Sequence, residues 1–453
     1  MRRRSAFARL GRSLPPGMFV VAGGLLVAGA TIYGFLGFTA HELGPVRYSS
    51  LAVLWALLFL VAPGVFSPLE QEVGRALAGR KASGLGGRPV IARAAVAGGG
   101  AAVVLVLAAV AASHPLADQL FSGDTGLVAA FALALPGYAG FYLLRGVLAG
   151  SGRFRRYGVL VGAEGLARLA AALAVVALGA ATVGRFASAI AVAPFAALII
   201  VLPRDRTIAA PGPPAAWAEL SSALGLLLIG SILANLLVNG APLLVQIAAT
   251  SREHAVAGQF LAGLLLVRAP LYLWQAVMAA LLPGLATAVE HEDRALFRGR
   301  LLSLVVIAVA VAVIGIGLSG TIGPSILHRV FGAGFHLGQV DLMLLSGAAG
   351  AFMLAQVLSQ GLIALSRYGT SMWGWGVGAI LLPAIVFAPL GGLLVRSEFA
   401  MLASCTTAAV VMAAALMSRL RSSAATGSAS GPAPDLSVLP PRSTPDATPP
   451  SGQ

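Results

Sequence analysis

Residues 141–158 read FYLLRGVLAGSGRFRRYG, and residues 352–369 read FMLAQVLSQGLIALSRYG. The second stretch is the first displaced by 211 positions without a gap. Phe141/Phe352, Leu143/Leu354, Gly150/Gly361, Arg156/Arg367, Tyr157/Tyr368 and Gly158/Gly369 are identical pairs. In both copies an apolar run of membrane length ends in Arg-Tyr-Gly, and another apolar run follows. An internal repeat of this kind fixes the architecture before any local reading does.

The rest of the chain tests the displacement. A helix needs ~20 apolar residues to cross a hydrocarbon core ~30 Å thick. Twelve segments qualify: 18–39, 50–67, 91–112, 126–149, 158–180, 186–202, 222–248, 257–283, 301–322, 341–363, 371–390 and 399–418. Moving the first six starts by 211 gives 229, 261, 302, 337, 369 and 397, against 222, 257, 301, 341, 371 and 399 in the second half. Six crossings return the chain to the side it left, so the repeat is parallel. The expected fold is an all-α polytopic membrane protein with twelve transmembrane helices in two six-helix lobes. The divisions are a basic N-terminus (1–17), an N-lobe (18–202), a Pro-rich linker (203–221), a C-lobe (222–420) and a tail (421–453). The tail is rich in Ser, Ala, Pro and Thr and is expected to be disordered. Residues 69–81, LEQEVGRALAGRK, are expected to form a short helix at the headgroups, outside the bundle.

Composition agrees. Hydrophobic residues make up 58% of the chain, charged residues 10%, and the mean hydropathy is +0.90, which excludes an ordinary soluble core. The net charge of +14 is a topology signal. With the N-terminus in the cytoplasm, twenty-two Arg and Lys fall on cytoplasmic segments and five (Arg47, Arg185, Arg252, Arg329, Arg396) on outer loops. That asymmetry places both termini in the cytoplasm and leaves no support for a nucleic-acid partner. The single cysteine, Cys405, excludes an intramolecular disulfide.

LGPVRYSSL (43–51), RGVLAGSGRFRRYG (145–158), AGQFLAGLLLVRAPLYLWQAVMAALLPGLA (257–286) and HRVFGAGF (328–335) occur in an order and spacing that resemble the multidrug/oligosaccharidyl-lipid/polysaccharide exporter superfamily. Within it the resemblance is to bacterial polysaccharide flippases of the O-antigen type, over roughly residues 1–420. It implies a V-shaped transporter in the bacterial cytoplasmic membrane whose lobes alternate access to a central cavity. It also implies a cargo of oligosaccharide on a polyprenyl pyrophosphate carrier, with polysaccharide-assembly proteins as partners beside the bilayer. Several relatives carry further helices after the twelfth, where this chain has a polar tail.

The chemistry is expected in the few polar residues at membrane depth. Arg168 lies about ten residues into its segment, ~15 Å deep at 1.5 Å per residue. Arg268 reaches a similar depth in the eighth segment, mid-helix, from the other side. Guanidinium suits pyrophosphate through paired, charge-assisted hydrogen bonds. A local ion pair is the competing reading for Arg168, because Glu164 is four residues earlier on one helical face. Glu164 is also the candidate for proton or cation coupling. Arg145 is a further anion-binding candidate, or a side chain snorkelling to the headgroups; at the 211 displacement its counterpart is Gln356. Asn235, Asn239 and Gln275 are candidate sugar contacts, with helix–helix adhesion as the plainer role for the asparagines. Tyr272 and Trp274 stand beside Gln275. Asp341 is expected to be solvated.

The six histidines show no metal-ligand spacing, and no nucleotide loop or hydrolase elbow appears. No metal or cofactor is therefore expected, nor an enzymatic role. A drug or cation antiporter of the same superfamily and a peptidoglycan-precursor flippase are the alternatives. The midplane arginines favour an anionic cargo over a cationic one.

Overall fold

The computed structural model describes residues 18–202, 210–220, 224–250, 253–268, 293–332, 334–389 and 391–429, with positions 270, 271, 274 and 278. Helices are the regular elements among its described residues, joined by short turns, with no strand among them. α1 (Met18–Ala82) contains two crossings. Gly44 takes φ 67° and ψ 167°, outside the helical region, and Pro45 follows. Glycine accepts a positive φ without a steric penalty. Phe35 stacks on Trp55 with ring centroids 5.9 Å apart. Twenty residues of straight helix span ~30 Å, so the chain must reverse at Gly44. Residues 69–81 correct the expectation of a separate surface helix: they continue the second limb, with Leu69, Val73 and Leu77 buried.

The remaining N-lobe helices are α2 (Arg88–Ala111), α3 (Ser113–Leu120), α4 (Thr125–Gly150), α5 (Phe154–Ala177) and α6 (Val183–Val201). The C-lobe comprises α7 (Leu224–Ala248), α8 (His254–Val267), α9 (Arg294–Thr321), α10 (Gly323–Phe331), α11 (Gln339–Ala364), α12 (Tyr368–Val386) and α13 (Leu393–Ala429). Among the described residues ten helices are long and apolar enough to cross a membrane, and α1 makes two of the crossings. The predicted eighth segment falls on α8 and on residues outside those described. α13 runs past Arg421, where the tail was expected to begin.

Small residues set the spacing inside the N-lobe. A Cβ at Gly146 would lie 2.6 Å from the Glu70 carbonyl oxygen, and one at Gly150 would lie 2.5 Å from that of Gly74. The Gly-x-x-x-Gly spacing thus lets α4 lie directly on the second limb of α1.

The repeat is present, with a shifted register. α4 and α11 each have 26 residues and correspond at a displacement of 214. Both end in a reversed turn, with Gly152 at φ 72° and Ser366 at φ 56°. The N–H groups of Arg153 and Arg367 reach back to the carbonyls of Leu148 and Leu362, both at 2.8 Å. These paired hydrogen bonds at a left-handed residue form a Schellman-type stop. The short helices α3 and α10 correspond at 211, so three extra residues enter the C-lobe between α10 and α11, in GAGFHLG (332–338). Arg153, not Arg156, is therefore the structural counterpart of Arg367. The counterpart of Arg145 is Ser359, which corrects the pairing with Gln356.

The basic connections gather at one end of the bundle. The Lys81 amino group donates to the Ser151 carbonyl at 3.1 Å. The last residues of the linker dock there too: Arg80 forms a two-pronged ion pair with Glu219, at 2.8 and 3.0 Å. The Arg93 guanidinium lies 5.2 Å above the Trp217 ring. Arg80 and these hydrogen bonds hold the Glu219 carboxyl well below its usual range, at about 2.

Candidate functional site

Pro63 initiates the site. Lacking an N–H, it leaves the carbonyl of Phe59, four residues earlier, without its helical donor. Asn239 on α7 supplies the donor across the lobe boundary, its Nδ2 lying 2.9 Å from the Phe59 oxygen. The same amide accepts through Oδ1 from Nη1 of Arg268, at 3.1 Å. One asparagine therefore joins the N-lobe backbone to the arginine of α8. The Ser231 hydroxyl donates to the Pro63 carbonyl at 3.3 Å, one turn along. Toward the other end Tyr33 donates to the Leu265 carbonyl at 2.8 Å. Beyond it, Tyr48 packs edge-on against Phe335, with centroids 5.8 Å apart.

Between these contacts lies a cavity of about 260 Å³ bounded by both lobes, near the lower end of the ~300–1,000 Å³ usual for ligand pockets. It brings together Arg145, Glu164, Asn235, Asn239 and Arg268 from the sequence candidates. Aromatic rings of Trp55, Phe59, Tyr138, Phe141 and Tyr142 form its N-lobe wall. The arrangement matches the general composition of small-ligand sites: apolar walls carrying a few convergent polar groups.

Arg268 sits at a break in the predicted eighth segment, since α8 ends before it and the described positions 270, 271, 274 and 278 are helical again. The helix stops at Val267, with Arg268 at its C-cap. Pro270 follows, and a proline restricts the residue before it and cannot donate to the helix. The residue is 6% exposed.

Arg145 is held, not snorkelling. Its Nε lies 3.2 Å from a Glu70 oxygen, and Nε and Nη2 donate to the Tyr157 hydroxyl at 3.1 and 2.7 Å. Tyr157 in turn donates to Glu70 at 3.1 Å. Rings of Tyr142 and Tyr157 lie 4.9 and 5.3 Å from the guanidinium carbon, a geometry in which the ring faces attract the cation. Glu70 was missed in the sequence because 69–81 was placed outside the bundle.

Glu164 accepts from Arg168 Nη1 at 2.5 Å and from the Tyr138 hydroxyl at 3.0 Å. Arg168 has no exposed surface and does not line the cavity; it stands behind Glu164, 4.9 Å from the Trp55 ring. The i,i+4 pair weighed in the sequence is therefore formed. Gln275 and Tyr272 lie outside the described residues, and Trp274 is buried.

No family model matches the chain. An uncharacterized protein of Mycobacterium tuberculosis is 26% identical over 400 residues, spanning 87% of this chain and 90% of that protein. An uncharacterized protein of Mycobacterium bovis is 28% identical over 355 residues, 77% of this chain and 79% of its own length. Among solved structures, the inward-facing conformation of a multidrug resistance MATE family transporter of the MOP superfamily superposes with a TM-score of 0.67. That match has 14% identity and covers 91% of this chain and 96% of the other. A MOP superfamily transporter from Pyrococcus furiosus gives 0.68 at 13% identity, over 90% and 96%. The Vibrio cholerae MATE transporter VcmN in its bent form gives 0.64 at 14%, over 91% and 98%. This chain has the MATE fold.

Within this MATE fold three guanidinium groups (Arg145, Arg168, Arg268) and two carboxylates (Glu70, Glu164) stand in or directly behind the cavity among the described residues. Glu398 is a further residue the sequence reading passed over. It lies on α13 with no exposed surface, and no N–H or hydroxyl donor reaches its carboxyl oxygens among the described residues, its polar neighbour being the Asp341 carboxyl. Asp341, expected to be solvated, is half-buried and faces it. No period or motif marks Glu398 in the sequence, where it sits at the start of an apolar run.

Proposed function

We propose that this multi-pass membrane protein is a transporter that moves an anionic, polyprenyl-pyrophosphate-linked glycan between the leaflets of the bacterial cytoplasmic membrane, in surface-polysaccharide assembly. The observation that carries the reading is the convergence of Arg145 and Arg268, one from each lobe, on a single aromatic-walled cavity. A planar guanidinium donates paired hydrogen bonds to phosphate oxygens, and two such groups on separate lobes let one anion bias how the lobes meet. The role is transport without a chemical step. Both termini face the cytoplasm in this reading, as the arginine distribution places them.

A second reading has its own support. Glu164 is on the cavity wall, and a carboxylate there suits proton or cation coupling in a drug antiporter; solved structures of this fold include a multidrug resistance MATE family transporter. One experiment separates the two. The purified chain in proteoliposomes is given a fluorescent polyprenyl-pyrophosphate trisaccharide, and separately ethidium under a proton gradient. Protein-dependent exposure of the glycan lipid in the opposite leaflet, without ethidium movement, supports the flippase. The reverse result assigns the antiporter.

A further inference from the structure

A second cavity, of about 270 Å³, adjoins the first and shares Ala234, Asn235 and Gln356 with it. It is bounded by the last turns of α11, the first turns of α12 and α7, and the second limb of α1. Its chemistry differs from its neighbour's. The described lining contains no ionisable group other than the Tyr368 phenol. The lining offers amides from Gln71, Gln356 and Gln360 and hydroxyls from Ser359 and Ser371, beside the Trp375 ring.

The repeat shows how this neutrality arises. At a displacement of 214, Ser359 stands for Arg145 and Ser371 for Tyr157. Each pair is hydrogen-bonded across the same turn: the serine hydroxyls at 2.7 Å, the arginine and tyrosine at 2.7 and 3.1 Å. Trp375 Nε1 donates to the Ser359 hydroxyl at 3.2 Å and completes the neutral cluster. The C-lobe thus repeats the geometry of the Arg145 site with every charge removed. Each glutamine amide brings two donors and an acceptor. Such groups match hydroxyls and acetamides, while an anion placed there would lose its hydration without a compensating cation.

We infer that this cavity binds the uncharged, hydroxyl-rich sugar portion of the cargo while the neighbouring cavity holds the anionic group. The inference rests on the lipid-linked glycan reading, and Asn235 and Gln356 mark the boundary between the two ligand parts. The test uses the full chain in lipid nanodiscs with two probes: an array of neutral oligosaccharides, and farnesyl pyrophosphate, which has no sugar. Gln360→Leu and Ser371→Ala line the second cavity alone; Ser371→Ala removes one oxygen and is the variant least able to disturb folding. Neutral glycans are expected to bind the parent chain, and each variant to bind them at least tenfold more weakly. Farnesyl pyrophosphate affinity is expected to stay within twofold. If no neutral glycan binds, or if both variants bind glycan like the parent, the sugar assignment is overturned. Failure of the parent to bind farnesyl pyrophosphate, with glycan binding intact, overturns the pyrophosphate reading and leaves the sugar cavity standing.

Discussion

Arg145 and Ser359 occupy the same place in the two lobes, 214 residues apart, each hydrogen-bonded to the residue twelve positions on. The equivalence separates what the fold needs from what the cavity needs. Both lobes require a polar link between the helix that ends there and the helix that follows. Only the N-lobe makes that link with charge, adding Glu70 as the third member.

The Glu70–Arg145 pair is therefore expected to be energetically coupled. Side-chain exposures of 12% and 20% place it mostly out of water, where losing one partner of a fully buried pair costs ~3–5 kcal/mol. Glu70→Gln is expected to destabilise the protein toward the lower end of that range, because the aromatic rings still attract the stranded cation. Adding Arg145→Gln should recover much of the loss. Unfolding followed by tryptophan fluorescence in detergent checks this; equal destabilisation in the single and double variants would show an uncoupled pair.

Glu164 and Arg168 make a sharper case, since Arg168 is wholly buried. Glu164→Gln leaves a guanidinium with no carboxylate partner among the described residues, so the double change with Arg168→Gln should be the more stable of the two. Transport discriminates the roles. If Glu164 is a structural partner, the stable double variant keeps the pH dependence of the parent. Loss of that dependence in every variant lacking Glu164 makes it the coupling group instead.

Much of this was legible in the chain. The twelve segments and the two lobes follow from apolar run lengths, and the i,i+4 spacing of Glu164 and Arg168 announces their pair. The Arg-Tyr-Gly identity, by contrast, gave the right repeat in the wrong register. Three inserted residues in a Gly-containing loop carry no hydrophobic signature, and a chain this rich in Leu, Gly and Ala offers chance identities at nearby offsets. Arg268 was legible as a cavity residue but not as the break between two helical stretches. Glu70 was hidden by its sequence neighbours Glu72 and Arg75, which read as a solvated surface helix. The Asn239–Phe59 contact joins groups 180 residues apart, although Pro63 alone predicts that the Phe59 carbonyl needs a donor.

The linker should respond to acid. Glu219 is held at about 2 chiefly by Arg80, below the ordinary carboxylate value. A depressed folded-state pKa contributes stability that is complete above the unfolded value and disappears as pH falls through the folded one. Protection factors of the amides in residues 210–220, corrected for the intrinsic pH dependence of exchange, should thus be high above pH 5 and fall from about pH 4.5 toward about pH 2. Glu219→Gln should leave protection low at every pH. An unchanged profile in that variant would show that Glu219 does not hold the linker.

Orientation is open to direct labelling on a Cys405-free background. Gln119 and Val340 are exposed at one end of the bundle, and Ser83 and Gly299 at the other. Cysteines at the first two positions are expected to react with an impermeant thiol reagent added to intact cells. Those at the second two should react after permeabilisation alone. The opposite pattern would invert the topology drawn from the arginines.

Arg268 carries the most specific prediction, because its geometry separates charge from shape. It is anchored through a neutral amide, with Asn239 accepting from Nη1 at 3.1 Å while donating to the Phe59 carbonyl at 2.9 Å. Arg268→Lys keeps the charge and loses the planar fork. Glycan-lipid transport should fall at least tenfold, about 1.4 kcal/mol by the affinity scale, at normal protein levels. Asn239→Asp acts from the other side: its carboxylate places a fixed anion against the guanidinium, in the position a phosphate would need. The same change removes the Nδ2 donor to the Phe59 carbonyl and sets two acceptor oxygens against each other, so some stability is expected to be lost while pyrophosphate binding drops. Asn239→Leu removes both hydrogen bonds and loosens the lobe contact, so its effect should appear in stability as well as in transport. The pattern to look for is a stability loss shared by the two variants, since both lose the Phe59 hydrogen bond, beside the larger loss of pyrophosphate binding in Asn239→Asp, which alone adds the anion. If Asn239→Asp binds farnesyl pyrophosphate like the parent chain, the guanidinium is an inter-lobe fastening and the anion is held elsewhere.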